Sequence, residues 1–154
     1  MARILRAVGE SKYSIHDLSR CRGEGDANLA RFNMPLELGI AMAHRHLSRR
    51  AESRHDWLVL VPLGHQYQAF ISDIAGFDPR MHDGSVPGIV TTVMAWLATR
   101  PDTIMTPTPR QVISVLPEFD AAMRALRSTW GPFPPWADIV LAGMNVAKQF
   151  EADA

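Results

Sequence analysis

Side chains able to act on a small polar ligand are concentrated in two stretches, and the more informative is Arg31-Phe32-Asn33-Met34-Pro35-Leu36-Glu37-Leu38-Gly39-Ile40-Ala41. It sets one carboxylate, Glu37, inside an apolar run. Asn33 can accept a backbone N–H bond as a helix cap, and Pro35 loses no helical hydrogen bond in a first turn. A helix is therefore predicted to open near Asn33, with Glu37 in its first two turns. The positive end of the helix dipole favours the ionised carboxylate there, whereas burial among Leu36, Leu38 and Ile40 opposes it. That balance decides between a nucleophile, an acid and a solvent-facing complement to the dipole.

The second stretch is Tyr13-Ser14-Ile15-His16-Asp17-Leu18-Ser19-Arg20. β-formers alternate with polar residues, which predicts a short strand ending near Asp17. A carboxylate at the carboxyl end of a parallel strand lies where open α/β sheets place their ligands, and it is suited to binding sugar hydroxyls. The plainer alternative is a strand-end turn residue that accepts backbone N–H bonds. His16 points to the opposite face of a regular strand and is left out of the site. His44 and His46 are two apart, the wrong spacing for sharing a metal on one helix face.

These residues need elements to position them. Residues 2–8 suit a short helix stopped at Gly9. Residues 21–29, with Gly23, Gly25, Asp26 and Asn28, read as a loop leading to the Asn33 helix, which frays at Ser48. Trp57-Leu58-Val59-Leu60-Val61 is an unbroken apolar run between Asp56 and Pro62, the pattern of a parallel strand covered on both faces. A turn at Gly64, a helix over 66–75 that includes Asp73, a short strand over 77–81 and a helix over 86–99 follow. Beyond Arg100, prolines 101, 107 and 109 form a connector. A helical stretch over 112–126 is then expected to be kinked or divided at Pro117, and a last helix to run over 136–150. Alternating strands and helices predict a mostly parallel α/β sheet. Residues 1–100 are assigned to this α/β domain and 101–154 to a helical extension packed on it.

The chain has 154 residues, 47% of them apolar, enough for a core of its own. Sixteen basic residues balance sixteen acidic ones, so no global field recruits nucleic acid or an anionic membrane. No apolar run approaches the ~20 residues that span a bilayer and no signal pattern opens the chain, which together predict a soluble cytoplasmic protein. The single cysteine, Cys21, excludes an internal disulfide and a multi-cysteine zinc site, and its polar surroundings predict an exposed, idle thiol.

Ser14-Ile15-His16-Asp17-Leu18-Ser19-Arg20, the Arg31 to Gly39 block and Tyr67-Gln68-Ala69-Phe70-Ile71-Ser72-Asp73-Ile74-Ala75-Gly76 together resemble a group of uncharacterised small bacterial proteins. That group is similar to the nucleoside 2-deoxyribosyltransferases and, more remotely, to TIR domains. Glu37-Leu38-Gly39-Ile40-Ala41 looks like the Glu-x-Gly-x-Ala signature of the transferases. The resemblance implies a small flavodoxin-like sheet that lacks its usual first strands, since the chain opens at the helix just before the central strand. Residues 13–18 then form a sheet edge that needs cover. It implies cleavage or transfer at a nucleoside or nucleotide N-glycosidic bond, with Glu37 as the sugar-facing carboxylate and Asp17 as its catalytic companion. Asn33, Arg31 and Ser19 contact substrate in this reading. No metal or cofactor is implied, NAD being a substrate if it is used at all. The implied partner is a small nucleoside or nucleotide, with no nucleic acid or membrane and with homo-oligomerisation open. A nucleotide-binding sensor without turnover and a TIR-like interaction module remain the alternatives.

Overall fold

The computed structural model describes residues 2–21, 33–48, 55–64, 78–101, 103 and 107–152. Among them the order is α1 (Ala2–Glu10), β1 (Tyr13–Asp17), α2 (Asn33–Leu47), β2 (Asp56–Pro62), β3 (Arg80–His82), α3 (Val86–Leu97), α4 (Pro109–Trp130), α5 (Trp136–Ala147) and α6 (Gln149–Ala152). The chain divides into two compact units, Met1–Val93 and Met94–Ala154.

In the first unit the three strands form an open sheet in the order β1-β2-β3, and both pairings are parallel. β2 is central because its sequence allows nothing else: every residue from Trp57 to Val61 is buried, as an apolar strand covered on both faces must be. Ser14 pairs with Trp57, His16 with Val59 and Asp17 with Leu60, and the Leu18 N–H carries the ladder one step further to the Leu60 carbonyl at 2.9 Å.

Alternation along the strands sorts the side chains into two faces. Trp57, Val59 and Val61 share one face and join Leu18, Cys21 and Leu38 in a single buried cluster, with Met34 and Met42 packed against it. α2 thus covers this face, turning Met34, Leu38, Ala41 and Met42 inward at helical spacing. Leu58 and Leu60 fill the other face. Asn33 is the first helical residue of α2, so the cap position falls one residue earlier, outside the described residues. The helix ends at Leu47, one residue before Ser48.

The structure departs from the sequence reading at several points. α1 runs through Gly9 to Glu10. The third strand is Arg80–His82 rather than 77–81, and the predicted helix 66–75 and Asp73 lie outside the described residues. In the second unit α4 continues unbroken through Pro117, which is exposed and does not divide the helix. Its start is fixed by a capping box: the Gln111 N–H donates to Thr108 Oγ (3.3 Å), and the Thr108 N–H donates to Gln111 Oε1 (2.8 Å). Thr108→Ala removes one half of this reciprocal pair, and we expect thermal unfolding to report a loss of about 1 kcal/mol.

Candidate functional site

Asp17 ends β1 and His82 ends β3, on either side of β2. Their register partners Leu60 and Pro62 lie on one face of β2, so both side chains emerge on that face, at the carboxyl end of the sheet. Asp17 Oδ1 accepts from the Ser19 backbone N–H at 2.9 Å and from Ser19 Oγ at 2.5 Å. His82 Nε2 lies 3.2 Å from Ser19 Oγ and 3.7 Å from Asp17 Oδ1. The Gly84 N–H donates to His82 Nδ1 at 3.1 Å, so Nδ1 is an acceptor and the ring proton belongs on Nε2. Proton donation therefore runs one way, from Gly84 through His82 and Ser19 to Asp17. All of it ends on Oδ1. The Asp17 side chain is 45% exposed while that of His82 is 3% exposed, and Oδ2 receives no hydrogen bond from any described residue.

The turn after β3 depends on Gly84, whose φ of 81° is a conformation that L side chains rarely adopt. Gly84→Ala strains this turn and loosens the bond that orients His82. We expect it to cost about 1 kcal/mol in chemical denaturation.

The structure places the other predicted residues elsewhere. Asn33 and Glu37 are four apart in α2, on one flank of the helix, with Asn33 exposed and Glu37 half-buried. Leu38, beside Glu37, faces the core. No hydrogen bond or ion pair links Glu37 to a described residue. Arg31 lies outside the described residues. Asp17 and Ser19 are thus brought together, and with them His82, whereas Glu37 and Asn33 form a separate pair. The helix carrying this pair covers the sheet face opposite to the one from which Asp17 emerges.

A second polar group, which includes the His16 that the sequence reading left out of the site, lies on the α2 face. Ser14 Oγ is 2.7 Å from His16 Nε2 and 2.7 Å from His55 Nε2, and His55 Nδ1 donates to the Ser11 carbonyl at 2.7 Å. That last bond makes His55 Nε2 the acceptor of the Ser14 hydroxyl proton, leaving the Ser14 oxygen to accept from His16 Nε2. Both rings are buried, His16 being 3% and His55 1% exposed. His16 Nδ1 is buried with no hydrogen-bond partner among the described residues. Burial, reinforced by the nearby His55, lowers the His16 pKa to about 4. The period-two placement of Ser14 and His16 was visible in the sequence; the approach of His55 from the start of β2 was not.

Cys21 corrects the expectation of an exposed thiol. Its N–H donates to the Leu18 carbonyl at 3.0 Å, and the turn tucks the side chain into the core cluster at 3% exposure. Burial, and then the charge of Asp17, raise its pKa, so the thiolate needed for reactivity is disfavoured. Among the described residues no group of three or more His, Cys, Asp or Glu is arranged to hold a metal ion. No described helix is long and apolar enough to cross a membrane. No protein-family model, curated protein or solved structure matches the chain.

Proposed function

We propose that the chain binds a nucleoside or nucleotide at the carboxyl end of its parallel sheet and acts on the N-glycosidic bond. The observation that carries this reading is Asp17: its Oδ1 is held by Ser19 and faces His82, while Oδ2 accepts from none of the described residues on a partly exposed side chain, where parallel α/β sheets take ligands. An ionised oxygen fixed in this way suits a pair of sugar hydroxyls, because its geometry is set before the ligand arrives. The reading requires a second carboxylate, for which it takes Glu37, set apart from Asp17 on α2. The bond between the anomeric carbon and the base breaks with its electron pair leaving on the base; a nucleobase takes up a proton from solvent, whereas nicotinamide leaves neutral without one. The oxocarbenium-like carbon is then stabilised by the Glu37 carboxylate or captured by it as an ester, and water or an acceptor base completes hydrolysis or transfer.

A nucleotide sensor without turnover is favoured by one observation: the Asp17 group and α2 lie on opposite faces of the sheet. Incubation of the purified chain with NAD, deoxynucleosides and nucleoside monophosphates separates the two readings. Released base measured by chromatography is the result expected of an enzyme. Calorimetric binding without released base establishes the sensor, and neither binding nor release eliminates the pocket.

A further inference from the structure

α5 is apolar nearly all the way round. In Trp136–Ala147 only Asp138 and Asn145 are polar, and both line the groove between α5 and α4 along with Leu141 and Glu118. Trp136, Val140 and Met144 recur every four residues along a different flank, at 76%, 41% and 59% exposure, and Trp130 at the end of α4 and Phe133 in the α4–α5 connection are exposed too, at 56% and 89%. No residue of α4 or α5 is buried. A helix without a polar face is stable in water only when it is covered, and exposed aromatic and aliphatic side chains recurring along one flank mark a contact site.

We propose that the cover is a second copy of this chain, the α4–α5 hairpins of two protomers meeting across the Trp136, Val140 and Met144 flank as a four-helix bundle. Charge selects this occupant. The flank carries no formal charge, so it has nothing with which to attract an acidic or basic partner. It also lacks the Lys and Arg rows by which interfacial helices hold anionic lipid. Beside it, α4 exposes Asp120, Arg124 and Arg127 at helical spacing, with Asp120 and Arg124 ion-paired. A two-fold axis crossing α4 between Asp120 and Arg124 brings the acid of each copy toward the arginines of the other, so this mixed rim is complementary to itself. An uncharged centre rich in Trp and Met within a charged rim is the usual composition of such an interface.

Sedimentation velocity of the full chain, over about two decades of micromolar concentration, should show twice the chain mass with reversible dissociation on dilution. Val140→Glu puts two like charges into the centre of the contact and should weaken it about a hundredfold or more. Met144→Lys is the parallel variant. Far-UV circular dichroism and the unfolding midpoint should stay close to wild type in both, because each site is solvent-exposed in a single copy. A monomeric mass throughout the range overturns the proposal, as does a dimer indifferent to both substitutions. Co-sedimentation of monomeric protein with phosphatidylcholine and phosphatidylserine vesicles overturns it too, in favour of a lipid surface.

Discussion

Lowering the pH from 6.5 to 4 should remove about 3 kcal/mol of stability through His16 alone. In the unfolded chain this imidazole titrates at its ordinary value of 6.5, while in the fold its pKa is lowered to about 4 by burial and by His55. Between those values the unfolded state binds the proton more readily, so stability rises with pH. Above 6.5 the ring is neutral in both states and contributes no slope. Below about 4 the loss is complete. For a chain of this size the shift corresponds to roughly 10 °C in melting temperature. The Asp83 carboxyl, whose pKa is lowered by hydrogen bonds from Ser85, contributes stability that is present above its ordinary 3.8 and lost at lower pH, outside this window. Urea denaturation of wild type and His16→Leu at pH 7, 5.5 and 4 checks the assignment. The wild-type midpoint should fall steeply and that of the variant much less; parallel curves would place the titrating group elsewhere.

The second large effect concerns turnover. Glu37→Gln keeps the shape of the side chain and removes its charge, and if Glu37 stabilises the anomeric carbon the rate should fall about a thousandfold or more with KM nearly unchanged. Asp17→Asn removes the ionised oxygen assigned to sugar hydroxyls and should raise KM about tenfold, since a charge-assisted bond is replaced by a neutral one. The reverse pattern, with Asp17→Asn abolishing kcat and Glu37→Gln tolerated, would move the reaction centre to Asp17, Ser19 and His82. These measurements read chemistry rather than folding, provided that both variants unfold within about 1 kcal/mol of wild type.

The sheet was legible wherever local pattern and burial agree. The run from Trp57 to Val61 announces a strand covered on both faces, and Pro35 after Asn33 marks the start of α2, because both signals are contained in a few neighbouring residues. Pro117 misleads because a proline weakens a helix locally, while the capping box at Thr108 fixes the start of a 22-residue helix that runs on through it. Cys21 misleads for a similar reason: its sequence neighbours are polar, but the turn from Leu18 returns it to the core. The candidate site was half visible. Asp17 and Ser19 are two residues apart and could be paired by reading alone. His82 could not, because it meets them across β2 at 63 residues' separation from Ser19, and the predicted third strand stopped one residue short of it. The same long-range closure brings His55 to Ser14.

The burial of Cys21 gives this chain a built-in clock. Because the sequence holds one sulfhydryl and the fold seals it at 3% exposure, alkylation must wait for the core around Leu18 and Leu38 to open. When closing is faster than the reagent, the observed labelling rate divided by that of a free thiol equals the opening equilibrium constant. One mass-spectrometric adduct then reads the free energy of that opening under native conditions, without denaturant or an introduced label.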